Sequence, residues 1–387
     1  MLPPITSPPA YLSATFWEST EIHIALPPSH PSPPSHLLEV AKSHLPEGGC
    51  LFLTSGTTGT PKWVALEKRA LLHSARVVNA HYDITQTDHW LLSLPIHHVG
   101  GFSILARAYL SGSQVTCSQS KWNPETFFES LSLSNSTVTS IVPTQLHDLV
   151  STNAYPPSHL RLVLVGGGRI QTDLFKKALA LGWPLCATYG MTETASQIAS
   201  QPLEHDRLND PETLEVLPHW HTQINSNNSL IIQGPSLAKG YITVTDSQST
   251  WEPIDPTIGL QTSDQVRLRI DGTRTFLQFL SRNDNVIKIL GELVSIESLE
   301  QRLSLLLPPS FPPFAIVPKP DPRRENRLLL VIESPDAAPP PILTSLLPDF
   351  HTQIAPFEHI DEIKTFPRFP RTELGKLSRS RLAADLF

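Results

Sequence analysis

Residues 51–62 read LFLTSGTTGTPK: an apolar run, then hydroxyls at Thr54, Ser55, Thr57, Thr58 and Thr60 interleaved with Gly56 and Gly59, and finally Lys62. Glycines let backbone N–H groups converge, hydroxyls donate, and one ammonium adds a point charge; together these are the ingredients of an oligophosphate cradle. The spacing is not that of a Walker loop, because Gly56 and Gly59 stand too close together and Lys62 follows a proline. A second stretch, ATYGMTETASQ (187–197), offers an aromatic face at Tyr189 and close backbone approach at Gly190. It adds a hydroxyl at Thr192 and, at Glu193, a carboxylate suited to holding Mg²⁺ against phosphate oxygens. The same residues also suit a strand running into a helix cap, with Thr192 as the cap.

Such groups need elements to hold them. CLFLT (50–54), TVTSIV (137–142), LRLVLVGG (160–167) and PLCATYG (184–190) are short apolar runs rich in strand formers. Helical patterns over 67–79, 143–151 and 172–182 lie among them, the last with a polar start and a glycine stop. Strand, helix, strand in that order predicts an α/β fold with a parallel sheet. Ligands gather at the carboxyl ends of such sheets, and the glycine-rich segments after Thr54, Val165 and Thr188 are expected there.

Composition narrows the class of function. The chain has 387 residues, 40% of them hydrophobic, enough for a substantial core and for two domains. A formal charge of -7 and the lack of any Lys/Arg cluster argue against a nucleic-acid partner. No apolar stretch reaches the roughly 18 residues of a membrane helix, and MLPPITSPPAYLSATFWEST has neither the basic start nor the apolar middle of a signal peptide. A cytoplasmic location is expected. Cys50, Cys117 and Cys186 are far apart and odd in number, which predicts reduced, mostly buried thiols. Much of the proline, 38 residues in all, lies in runs at 27–36, 305–314 and 334–343, which read as loops and linkers.

Taken together, TSGTTGTPK and YGMTE resemble motifs of the acyl-adenylate-forming ligases, the superfamily of acyl-CoA synthetases, peptide-synthetase adenylation domains and luciferases. Further segments fit in order: LPIHHVGG (94–101), VGGGRI (165–170), GPSLAKGY (234–241), TSD (262–264), SRNDNVIKILGELVSIESLE (281–300) and PRTELGKLSR (370–379). The resemblance spans residue 51 to the C-terminus. YGMTETASQ with LPIHHVGGFS is most similar to the o-succinylbenzoate-CoA ligase family of the menaquinone and phylloquinone pathways.

The resemblance implies a large N-terminal AMP-binding domain over residues 1–281, with parallel-rich sheets and helices. It implies a small mobile α+β domain over 282–387 and a hinge near Asp284. Residues Thr54, Ser55, Gly56, Thr57, Thr58, Gly59 and Lys62 would hold the β and γ phosphates of ATP, and Glu193 with Thr58 would organise Mg²⁺. Tyr189 and Gly190 would meet the adenine, with Gly167 and Gly168 lining the nucleotide and acyl pockets. Asp264 would receive the ribose hydroxyls, although the usual glycine before it is Ser263 here. Arg282 would face ribose or phosphate, with Ser281 at a position that is commonly glycine. Lys376 would reach the α-phosphate and the attacked carboxylate, and Thr192 would add a hydroxyl. His98 occupies the place of a gate to the acyl pocket, and also suits a packed strand-end residue. Lys288 would enter on the strand that admits coenzyme A, and equally suits an exposed strand position. The implied reaction is ATP-dependent conversion of 2-succinylbenzoate to its CoA thioester. The alternatives are ligation of another aryl or acyl acid and a catalytically silent nucleotide-binding relative. Oligomeric state stays open.

Overall fold

The computed structural model describes residues 9–26, 32–54, 62–118, 122–202, 211–226, 228–282, 286–290, 292–335, 338–372 and 375–387. The chain divides into two compact units. The first comprises Met1–Ser226, Leu230–Thr262 and Arg267–Phe279; the second comprises Asn227–Ser229, Ser263–Val266 and Leu280–Phe387.

The architecture is mixed α/β. In the first unit the strands Gln114–Cys117, His89–Leu92, Val138–Ile141, Leu162–Val165 and Leu185–Met191 lie side by side and parallel, in that spatial order. Helices Val99–Ser111, Pro124–Ser134, Pro143–Ser151 and Thr172–Ala180 carry the chain between them, the crossover that parallel pairing requires. Leu162–Val165 is buried throughout, as a strand covered on both faces must be. Beyond Leu185–Met191 the sheet turns antiparallel through Ser196–Ser200 and Thr213–Val216 to Arg274–Arg282.

One expectation is corrected here. The strand before the hydroxyl-rich loop, Gly49–Thr54, is not part of this parallel sheet. It lies in a separate five-stranded sheet, parallel to Ile22–Ala25 and antiparallel to Lys62–Glu67. The chain reverses directly from Thr54 to Lys62, and a connection that short permits only antiparallel pairing. Gly240–Val244 and Ser249–Pro253 complete that sheet. Gly190 also lies within its strand and not after it.

The second unit has its own core. In the sheet Phe314–Asp321, Glu325–Glu333 and Glu362–Phe366, side chains alternate between two buried faces. Ile316, Leu328, Leu330 and Ile332 pack with residues of helices Ile296–Ser304 and Ile342–Thr352, while Ala315, Val317, Leu329 and Val331 pack with Leu382 of helix Arg379–Leu386. The cysteines are free, and burial pushes the thiols of Cys50, Cys117 and Cys186 up to about 12, 11 and 12. Among the described residues no helix is long and apolar enough to cross a membrane.

Candidate active site

The hydroxyl-rich loop is held at both ends. Cys50, Leu51 and Phe52 are buried, which fixes the strand, and the Thr54 hydroxyl donates to the Lys62 carbonyl at 3.1 Å. Ser55, Gly56, Thr57, Thr58 and Gly59 themselves lie outside the described residues.

Period-two alternation decides what Lys62 meets. Val64 pairs with Tyr241, and Tyr241 pairs with Glu252, so Lys62, Tyr241 and Glu252 share one sheet face. The Lys62 ammonium is 2.8 Å from the Glu252 carboxylate and 5.3 Å from the centre of the Tyr241 ring. From the same ring the hydroxyl donates to Glu193 Oε1 at 3.2 Å. Burial, and then the Glu193 carboxylate, push the Tyr241 phenol well above its ordinary range. Its proton therefore stays in place at working pH.

Glu193 stands in a 3₁₀ turn, Thr192–Thr194, closed by the Thr194 hydroxyl donating to the Met191 carbonyl at 3.0 Å. The Glu193 carbonyl accepts from the Ala238 N–H at 2.7 Å. Next come Ala195 at φ 51° and Ser196 at φ 105°, two side-chain-bearing residues in left-handed backbone. Such conformations persist only where the surroundings impose them, and they cluster at functional sites. Gly190 is obligatory beside this turn, because a Cβ there would sit 1.6 Å from the Ser196 carbonyl oxygen.

Gly167 adopts φ 77°, the left-handed region that favours glycine, where the chain leaves Leu162–Val165. A Cβ on Gly168 would meet Pro143 at ordinary contact distance, 3.6 Å, so this segment is open where Gly190 is not. Tyr189 packs its ring 6.0 Å from Phe279, tilted by 34°.

His98 caps Val99–Ser111 through its backbone, and its carbonyl accepts from the Phe102 N–H at 2.9 Å. The His97 and His98 rings lie 4.6 Å apart. Two turns along the same helix is a residue the sequence reading missed. Arg107 is 2% exposed, with its guanidinium 5.8 Å from the Trp90 ring centre. Its Nη2 reaches the Ser196 hydroxyl at 3.3 Å, while its Nε is buried with no partner. Burial, offset in part by Tyr82, lowers its pKa to about 10. Among the described residues no carboxylate pairs with it. A desolvated guanidinium without a counter-ion is costly and calls for an anion. Its signal in the sequence was a single charge inside the apolar run VGGFSILARAYLS.

The second unit gathers the other charged candidates. Asp264, 1% exposed, accepts from Arg282 Nε at 2.6 Å, and the Arg282 N–H donates to Glu297 at 3.2 Å. Lys376 sits in a tight turn in which the Thr372 N–H donates to the Lys376 carbonyl at 2.7 Å and Gly375 takes φ 73°. Three residues on, Arg379 clasps both oxygens of Glu300. Desolvation, then the Arg282 charge, lowers the Lys376 pKa, opposed by Glu297 and Asp264. Its side chain still reaches solvent. Lys288 lies in the strand Val286–Ile289, paired with Leu293 of Glu292–Ser295. Asp284 is outside the described residues.

The sequence profile of the AMP-binding enzyme family matches residues 49–242, half of the chain. The chain belongs to the AMP-binding enzyme family. It is 30% identical over 275 residues to the 2-succinylbenzoate–CoA ligase of Bacillus cytotoxicus, a match covering 67% of this chain and 55% of that protein. The corresponding ligase of Enterococcus faecalis is 26% identical over 358 residues, or 89% and 70% of the two chains. Among solved structures, o-succinylbenzoate CoA synthetase from Bacillus subtilis in complex with the acyl-adenylate intermediate OSB-AMP superposes with a TM-score of 0.72. That match is 26% identical and covers 86% of this chain and 68% of that one. The chain thus spans little more than half the length of the Bacillus cytotoxicus relative it matches.

For an AMP-binding enzyme the donor set fits the expected ligands. Among the described residues no three His, Cys, Asp or Glu side chains converge on a metal position. A site offering one carboxylate, Glu193, suits Mg²⁺, which keeps waters and takes phosphate oxygens for most of its shell.

Proposed function

We propose that this AMP-binding enzyme activates 2-succinylbenzoate with ATP and passes the acyl group to coenzyme A. The observation that carries the choice of acid is Arg107: a buried, uncompensated guanidinium bonded to Ser196, three residues beyond Glu193. A monocarboxylic acid, consumed at its only carboxylate, leaves that charge unpaired. A dicarboxylic acid activated at one end neutralises it with the other. The ligases of Bacillus cytotoxicus and Enterococcus faecalis, named for 2-succinylbenzoate, support the same acid.

The aliphatic carboxylate oxygen attacks the α-phosphorus of ATP, the bond to the bridging oxygen breaks, and pyrophosphate leaves. Lys62, the 54–62 loop with its Ser55, Thr57 and Thr58 hydroxyls, and Lys376 offset the charge gathering on phosphate oxygens. Glu193 with Thr58 would hold Mg²⁺, which would supply further neutralisation of charge on the phosphates. Tyr189 with Gly190 receives the adenine beside Gly167 and Gly168, and Asp264 with Arg282 receives the ribose. Thr192 donates to the reacting phosphate, and His98 gates the acyl pocket. The second unit then turns about Asp284, withdraws Lys376 and brings in the strand bearing Lys288. The coenzyme A thiolate attacks the acyl carbonyl and AMP departs. The use of ATP and coenzyme A supports a cytoplasmic location.

Pyrophosphate release tests the reading with 2-succinylbenzoate and a panel of aryl and acyl acids. Release only with 2-succinylbenzoate is the expected outcome. Release with another acid instead would reassign the substrate, and ATP binding without release from any acid would make the chain a silent nucleotide binder.

A further inference from the structure

We infer that Tyr241 is a positioning residue that holds the metal-facing carboxylate of Glu193 and the phosphate-facing ammonium of Lys62 on a single side chain. The inference rests on the roles proposed above for those two residues and adds the part that sets their geometry.

Three observations converge on Tyr241. Its hydroxyl donates to Glu193 Oε1 at 3.2 Å, which orients the carboxylate and commits one of its oxygens. Its ring lies under the Lys62 ammonium at 5.3 Å, within the range of a cation–π contact. Its backbone is paired on both sides, to Val64 in the strand that Lys62 opens and to Glu252 in the strand beyond. A tyrosine so placed has little freedom of its own.

The need for such a residue follows from where Glu193 stands. It sits in a three-residue 3₁₀ turn followed by two left-handed residues, with no long helix or strand to fix its side chain. The segment leading into Gly240–Val244 supplies that support twice: through the Ala238 N–H on the Glu193 carbonyl, and through the Tyr241 hydroxyl on the carboxylate. A carboxylate accepts, so the phenol acts as the donor to Glu193. Lys62 opens a strand of one sheet and Glu193 lies in the turn that follows a strand of the other, and the tyrosine spans them. Hydrogen bonds to ligating carboxylates orient metal ligands in this way, and losing one commonly costs 10–100-fold in metal affinity.

The hydroxyl and the ring are separable. Tyr241→Phe keeps the aromatic face under Lys62 and removes only the donor, so the Mg²⁺ concentration for half-maximal MgATP binding, read by calorimetry without acid substrate, should rise about tenfold. Metal-free ATP affinity should stay within about twofold. Tyr241→Leu removes the ring as well and should weaken metal-free ATP binding in addition. Glu193→Asp withdraws the carboxylate from the hydroxyl while keeping its charge; in that background Tyr241→Phe should change nothing further. Thermal melts of each variant monitor folding, and the comparison within the Glu193→Asp background keeps the test valid if a single variant is destabilised. A Mg²⁺ requirement raised by Glu193→Gln but untouched by Tyr241→Phe would overturn the positioning role while leaving Glu193 in place. A requirement untouched by Glu193→Gln would instead remove Glu193 from the metal site and the inference with it.

Discussion

Arg107 and Lys376 are single charges with opposite surroundings, and their substitutions should behave differently. Arg107 is buried, and among the described residues no acid pairs with it. Keeping an unpaired charge out of water is costly, so replacing it by an apolar side chain of similar volume removes a destabilising contribution. Arg107→Met is therefore expected to melt higher than the parent while losing on the order of 10²-fold in kcat/KM for 2-succinylbenzoate. A variant that melts lower and keeps its activity would make Arg107 a structural residue. Lys376 is proposed to act only while the α-phosphate carries transition-state charge. Lys376→Ala should cost on the order of 10²- to 10³-fold in adenylation and leave thioester formation from preformed acyl-adenylate near the parent rate. Equal loss in both half-reactions would contradict domain alternation.

At the scale of elements, the turn that follows Leu185–Met191 carries the strain. Ser196 at φ 105° is a conformation that glycine adopts freely, so Ser196→Gly should relieve backbone strain on the order of 1 kcal/mol. It also removes the hydroxyl that meets Arg107 Nη2. The expected result is a protein of equal or greater stability in urea titration with weaker use of the acid; a clear loss of stability would mean that the hydroxyl contact outweighs the strain. Gly190→Ala has no such outlet, since its Cβ would overlap the Ser196 carbonyl, and it should fail to give folded protein. Much of this layer was legible in the sequence. The helix over 143–151 and the strands within 137–142, 160–167 and 184–190 follow from period and from their punctuating glycines and prolines. Partnering was not legible. Gly49–Thr54 is as apolar as a parallel-sheet strand, and nothing within 50–54 reveals that Lys62–Glu67 returns beside it. Arg107 was hidden for a related reason: sequence shows a charge in an apolar helix, and only packing shows that no acid among the described residues meets it. Tyr241 stood at the end of a quoted motif, but its two contacts come from residues 48 and 179 positions away in sequence.

For the whole molecule, pH reports on half-buried histidines. Burial lowers His23, with Lys68 adding to the effect, and His219, with His73 adding to it, each to about 4. Both are neutral in the folded chain at pH 5 and protonated in the unfolded one, whose histidines titrate near 6.5. Folding stability is thus undiminished above about pH 6.5 and is lost progressively as pH falls from there toward 4. Urea midpoints should drop between pH 7 and pH 5, and His23→Phe, which keeps a ring stacked on Phe102, should flatten the dependence. An unchanged slope in that variant would show that His23 titrates normally. The two-unit organisation raises a different expectation. Proline at 284 would fix φ where the second unit is proposed to turn, so Asp284→Pro should retain adenylation and block thioester formation.

The choice of acid reduces to one comparison. 4-Oxo-4-phenylbutanoate is 2-succinylbenzoate without its aromatic carboxylate, with the activated end unchanged. The measurement is kcat/KM for CoA thioester formation on both acids by the parent protein and by Arg107→Met. The parent should prefer 2-succinylbenzoate by about 10²-fold or more, the discrimination expected when a buried charge is left unpaired, and Arg107→Met should lose or reverse the preference. Equal use of the two acids by the parent, or an undiminished preference in Arg107→Met, would contradict that choice of acid.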